Sequence, residues 1–359
     1  GCTLRAAIQT ANRRAAPQLI TLIAGSYRLG SPLEAIGNDV LIVGAGAAAT
    51  TVRPAAPRPG FGFLTLAAPH LLRLRGLTAR DFGDVDGAVL HVTAGTVDVD
   101  ACAFADNVSA GSGGVLFAAG GATARLARST FTGNRSFGGC CGGWGGVIDG
   151  EQAGTTIEVT QCTATGNASA WGSFAHITTG TTLRLENSTL ADNVASTAGT
   201  LATPGGVYTL HNVTIARNRT TVASAAGLYL HADPSHYTVT NSIIAENTDS
   251  TGAEHNCDRR DLATSLTTGG GNLVSDGAGN CADYFSDPSD RLGTGAGLEP
   301  GPPADHGGPT ATILPTPSSP AIDRGQGDLC PPIDQRGLPR PVARTSAVPA
   351  CDVGAVELQ

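Results

Sequence analysis

The chain has no methionine and no lysine, and all 22 of its basic residues are arginine. The missing lysine reads as the base composition of a GC-rich coding sequence. The missing methionine, with no signal peptide in view, leads us to expect a processed or excised chain whose start lies upstream, with export inferred. Aromatic residues make up 4% and charged residues 14% of the 359 positions. No apolar run reaches the roughly 18 residues that a membrane helix needs. The formal charge of −8 is spread without acidic or basic blocks, which argues against electrostatic binding to nucleic acid. No Cys-x-x-Cys pair occurs among the nine cysteines, and the adjacent Cys140 and Cys141 chelate poorly, so no metal is expected on sulfur. A serine or cysteine nucleophile has no Gly-x-Ser-x-Gly motif and no Cys/His pairing to support it.

What is abundant is glycine, 49 residues of it, with Ala, Thr and Ser, and a repeated phrase. Leu185-Glu-Asn-Ser-Thr-Leu-Ala-Asp-Asn193 has relatives ending at Asn107, Asn134, Asn167, Asn218 and Asn247, at steps of 27, 33, 26, 25 and 29 residues. A fixed unit with elastic spacing is the mark of a solenoid, which grows along one axis and needs no second core. A second fragment precedes the unit: Gly-Ala-Val-Leu at 87, Gly-Gly-Val-Leu at 113, Gly-Gly-Val-Ile at 145 and Ala-Gly-Leu-Tyr at 226. Each period thus carries two or three short apolar runs and no helical one. Within the runs, apolar residues alternate, as at Leu183 and Leu185 or Val97 and Val99, which is the pattern of strands with one buried face.

Coils of such strands stack in parallel at about 4.8 Å, so like residues form ladders: Asn bonds to Asn, while Leu, Val and Ile fill the bore. The expected fold is all-β, a single-domain right-handed parallel β-helix, the handedness being that of parallel crossovers. A β-sandwich does not repeat at this spacing. Residues 1–18 are expected as a capping helix, with Thr3 as N-cap and Leu4, Ala7, Ile8 and Ala11 on one face. Residues 19–247 form the coils, and 248–359 form loop-rich final coils and a C-terminal cap in the same domain. Cys257 with Cys281, and Cys330 with Cys351, bracket Gly/Pro/Asp-rich excursions as loop-closing disulfides do. Cys102 and Cys162 sit at one repeat position two coils apart, about 10 Å, too far to bond, and read as buried small hydrophobes. Pairing of Cys2, Cys140 and Cys141 stays open.

The opening Cys2-Thr-Leu-Arg-Ala-Ala-Ile, the Asn-Ser-Thr coils and the closing Gly-Gly-Pro-Thr, Ser-Pro-Ala-Ile-Asp, Asp-Gln-Arg-Gly and Cys-Asp-Val-Gly-Ala-Val-Glu segments together resemble a family of exported bacterial β-helix proteins. Its members start with a Cys-Ser-Leu-Arg-Glu-type segment, often precede a variable cell-surface anchor, and share the pectin-lyase-like fold. The resemblance spans the chain and implies fold and a secreted or cell-surface location, but no reaction, because the fold hosts many functions.

Aligned fragments put His91, Phe117, Asp149 and His176 in one column, outward if Leu90, Leu116, Ile148 and Ala175 point into the bore. Asp149 and His176 then lie on neighbouring coils, with Glu151 two residues along the same face. An Asp/His pair can act as base and acid, and two carboxylates can serve glycoside hydrolysis. Polar residues on an exposed strand facing water are the plainer expectation. The resemblance to β-helix polysaccharide enzymes weakens at particular points: lyases of the fold commonly use a Lys or Arg base beside calcium-binding acids, and the polygalacturonase motifs are missing. Phe117, Trp144, Trp171 and Tyr229, with His91, would make a strip suited to sugar stacking.

The leading expectation is therefore an exported structural or adhesive module that contacts a glycan or partner protein through a lateral sheet. Its rivals are a polysaccharide-degrading enzyme using Asp149, His176 and Glu151, walled by the long period holding Cys140, Cys141 and Trp144, and a self-assembling subunit of a surface fibre. No cofactor is expected, although Asp323, Asp334, Asp352 and Glu357 could hold a structural calcium ion. The sequons at Asn107, Asn134, Asn167, Asn187, Asn212 and Asn218 coincide with repeat positions and read as structure.

Overall fold

Thr182–Glu186 buries Leu183 and Leu185 and exposes Thr182 and Arg184, as its alternation predicts. In the computed structural model this strand is followed by Thr189–Ala191, Val194–Ala198 and Leu201–Thr203 before the chain returns to the starting wall at Val207–His211. The structure describes residues 3–138, 142–230, 235–259, 265–277, 281–342 and 350–359. Each full coil has four walls rather than two or three runs. The wall that pattern reading misses is built mainly of two-residue strands such as Val108–Ser109 and Arg219–Thr220, too short for alternation to show.

Stacking the coils gives parallel sheets of 10, 11, 6 and 8 strands, wound as a right-handed β-helix of about nine turns. Register holds like on like: Leu74, Val99, Leu126, Val159, Leu185 and Leu210 pair in succession along the ten-stranded sheet and fill the bore. Aromatic side chains stack by the same rule, Phe104 on Phe131 at 5.3 Å and Tyr208 on Tyr237 at 4.7 Å.

The corners explain the asparagines. Asp106, Asp192, Arg217 and Glu246 have φ of 57–59°, with Gly133 and Gly166 at 66° and 65°, and this left-handed residue turns the next one inward. The next one is the repeat asparagine. Its Nδ2 donates to Oδ1 of the asparagine one coil on: 107 to 134 at 2.9 Å, 134 to 167 at 3.0 Å, 167 to 193 and 193 to 218 at 2.9 Å, and 218 to 247 at 2.8 Å, while Asn247 ends the row on Asn256, nine residues later, at 2.8 Å. Each Oδ1 also accepts the backbone N–H of the preceding asparagine, and each Nδ2 also donates to a carbonyl, as Asn193 does to Ala164. Both ends of every amide in this ladder are thus used inside the buried bore. Asn187 and Asn212 are buried as well, so all six sequons are structural positions.

At the N-terminal end, α1 (Leu4–Asn12) starts on Thr3, whose hydroxyl accepts from Ala6 N at 3.2 Å, and buries Leu4, Ile8 and Ala11 in the core of the first coils. At the other end Cys281, Tyr284 and Phe285 join that core, beside the Cys257–Cys281 disulfide. The second expected disulfide, Cys330–Cys351, is also formed. Cys102 and Cys162 are free and buried, and burial pushes their thiols up to about 11 and about 12. Cys2, Cys140 and Cys141 lie outside the described residues.

The loop-rich closing part runs back along the outside of the eleven-stranded sheet. Leu298, Ile313, Ala321 and Val353 pack on Ala191, Ala216, Ile243 and Ala245 of that sheet. The other left-handed corner, with φ of 46–55°, supplies the bonds: Gln161 to the carbonyls of Asp334 and Gln335, Asn187 to Ile333, Asn212 to Asp352 and Gly354, and Asn241 to Gln326. Arg340 is wholly buried there, 3.4 Å from Glu357 and bonded to the carbonyls of Asp352 and Gly354.

Candidate ligand-binding cleft

The glycines of the Gly-Gly-Val-Leu fragments set up the site. Gly145 and Gly172 take φ of 62° and 67°, and a Cβ there would stand 1.9 Å from Ile148 O and 2.1 Å from Ala175 O. Only glycine turns the chain from the six-stranded wall into the eight-stranded one at this point. The residues just before them are Trp144 and Trp171, which pair on adjacent coils. The residues just after lead into Ile148–Gly150 and Ala175–Ile177.

Across the eight-stranded sheet, register sets Thr65, His91, Phe117, Asp149, His176, Ala202, Tyr229 and Asp258 in one column. The column expected from sequence is real, but the outward, water-facing reading fails in its middle: Asp149 is 0% and His176 6% exposed. The cause is Trp144, whose ring stacks over His176 with centroids 5.8 Å apart and planes 17° from parallel.

Trp144, Glu151, Trp171, His176, Thr178, Thr203 and Pro204 line a cleft of about 300 Å³. Asp149 lies beneath it. His176 Nδ1 is 2.7 Å from Asp149 Oδ1. Because a carboxylate only accepts, Nδ1 carries a proton and donates to it, so that a neutral ring has Nε2 left as its acceptor. The second oxygen, Asp149 Oδ2, is buried without a donor. Glu151 is the group beside it. Burial first, then the charge of Asp149, raises the Glu151 carboxyl, as do the charge of Asp86 and a direct contact with Asp149, while His176 lowers it. One buried carboxylate thus orients a histidine and helps to raise a neighbouring acid, and both of these partners line one cavity.

The remaining sequence candidates lie beside the cleft. His91 and Phe117 stack on each other at 5.1 Å on the two preceding coils, with His91 Nδ1 3.2 Å from Asp86 O. Tyr229 is packed against Ala198, Ala202 and the edge of Trp171, 5.6 Å from it, and so braces the cleft wall from behind. Thr178, Thr203 and Pro204 escape pattern reading. Register offers a signal for the first, because Gly150 pairs with Ile177 and so sets Glu151 beside Thr178.

The C-terminal acids are used by the fold itself. Asp323 N donates to Asp352 Oδ1, Asp334 binds Arg336 at 2.8 Å, Asp352 Oδ2 accepts from Leu358 N, and both Glu357 oxygens accept backbone N–H groups. These contacts occupy oxygens that a calcium ion would need, and no group of three or more metal-ligating side chains occurs among the described residues. No helix among them is long and apolar enough to cross a membrane. No protein-family model, curated protein or solved structure matches this chain.

Proposed function

We propose that the protein is a secreted or cell-surface β-helix module that holds a glycan in the cleft between Trp144 and Trp171. The observation that carries this reading is the placement of two indoles on adjacent coils beside a small set of convergent polar groups, Glu151, His176, Thr178 and Thr203. Sugars present apolar C–H faces ringed by hydroxyls, and such a site offers a flat apolar surface with polar groups at its rim. Two disulfides are compatible with an oxidising, extracellular setting. Adhesion to glycan-coated surfaces follows from this binding, with no nucleic acid and no resident cofactor in the scheme.

Titration of tryptophan fluorescence with a panel of soluble plant, algal and bacterial oligosaccharides tests it. Binding should quench or shift the emission, and Trp144→Ala and Trp171→Ala should each weaken it by about two- to tenfold, the scale of a lost stacking contact. Silence across the panel, or binding indifferent to both substitutions, refutes the reading.

One observation favours a second reading, polysaccharide hydrolysis: an acid raised by burial and by a neighbouring carboxylate, and a histidine bonded to that same carboxylate, line one cavity. In that scheme water attacks the anomeric carbon and yields its proton to His176 Nε2. The proton of Glu151 passes to the leaving glycosidic oxygen. New reducing ends that vanish in both Glu151→Gln and His176→Ala would establish it, and binding without cleavage would leave the module reading alone.

A further inference from the structure

The polar lining of the cleft is one-sided. With Nδ1 on Asp149, a neutral His176 offers Nε2 as an acceptor, and the Thr178 and Thr203 hydroxyls already donate to the carbonyls of Gly150 at 3.5 Å and Ile177 at 2.8 Å. Glu151 carries carboxyl oxygens, with the Asp149 carboxylate behind it and the charge of Asp86 also acting on it. Among the described residues no arginine lines the cavity, in a chain whose only basic side chains besides histidine are arginines. A sugar carboxylate or sulfate placed there would face Glu151 and Asp149 with no counter-charge. A cation would meet a carboxylate and two indoles, indole being the best aromatic partner for positive charge.

We infer that the cleft selects glycans bearing a free amine, of the glucosamine class, over N-acetylated, neutral and uronic units. This rests on the glycan reading of the same cleft. An ammonium on the sugar ring donates to Glu151 and to His176 Nε2 while the ring's C–H face lies on Trp144 or Trp171. N-acetylation removes the charge and replaces two of the donors by a carbonyl, which the Glu151 carboxylate cannot bond. A uronic unit brings the wrong sign of charge altogether.

Calorimetric and fluorescence titrations at near-physiological salt with tetramers of glucosamine, N-acetylglucosamine and galacturonate decide the matter. The glucosamine tetramer should bind at least roughly tenfold more tightly than its acetylated counterpart. Glu151→Gln should close that gap and leave the affinity for the acetylated tetramer within about twofold. Glu158→Gln, at a 44% exposed acid bridged to Arg125 on the ten-stranded face, should leave the gap open, which separates the cleft from the general attraction of a −8 protein for a cation. Equal affinities for the first two tetramers, a preference for galacturonate, or a gap that Glu158→Gln closes as fully as Glu151→Gln would overturn the selectivity and leave glycan binding standing. Failure of all three tetramers, with tryptophan emission unchanged, overturns both readings.

Discussion

Replacing Asn193 by alanine should destabilise the protein by about 2–5 kcal/mol, a figure that follows from counting what its amide serves. Asn193 Oδ1 accepts from Asn167 N at 3.0 Å and Asn167 Nδ2 at 2.9 Å, and its Nδ2 donates to Ala164 O at 3.0 Å and Asn218 Oδ1 at 2.9 Å. Truncation leaves the fully buried Asn167 N–H with no acceptor, which costs about 1–3 kcal/mol. Asn167 Nδ2 retains Phe131 O, and Asn218 Oδ1 retains the backbone N–H of residue 193, so these groups lose only one of two bonds, at about 0.5–1 kcal/mol each. Urea unfolding followed by far-ultraviolet circular dichroism measures the difference, with Glu158→Gln as a surface control expected within about 0.5 kcal/mol of the parent. A loss below 1 kcal/mol for Asn193→Ala would mean that the ladder merely fills space, and the account of the corners given above would be wrong.

Arg340→Ala should cost about 3–5 kcal/mol in the same assay, since it strands Glu357 in the interior and opens the carbonyls of Asp352 and Gly354. Glu186 is held down at about 2 by its hydrogen bond to His211, with Arg184 assisting. Its contribution is therefore complete above the unfolded carboxyl value of 4.5 and lost as pH falls through about 2; Glu186→Gln should remove about 1 kcal/mol of that acid dependence, the figure being discounted for partial exposure. Peptide-mapped alkylation at pH 8 should leave Cys102 and Cys162 unmodified until denaturant is added, and labelling of either in the native protein would contradict the burial that raises both thiols.

The coils were legible because a solenoid writes each interaction several times. Asn193 could be placed in the bore from its copies at 107, 134, 167, 218 and 247, and Leu185 from its neighbours in register. The site was legible as a column but not as a cavity. Period-two alternation assigns Asp149 and His176 to the outer face, whereas their burial comes from Trp144, contributed by an irregular turn that alternation does not describe. The path of the closing segment had a signal that went unread. The corner residue is Ala101 or Arg128 in the uncovered coils and becomes Gln161, Asn187, Asn212 and Asn241 where the returning chain must be bonded. A polar switch within a repeat column marks an additional neighbour.

That returning chain also changes how the solenoid assembles in time. A coil bonded only to the coils before and after it can form as soon as some 25–30 residues have been made, and a bare β-helix would be complete in pieces. Here Gln161 waits for Asp334, 173 residues later, and Asn212 for Asp352, 140 residues later. Until those partners arrive, Ala191, Ala216, Ile243 and Ala245 present an apolar outer face. The half-made molecule is therefore sticky along one side, and residues 296–357 act as its own sealing strip, completing the surface only once they have themselves been made.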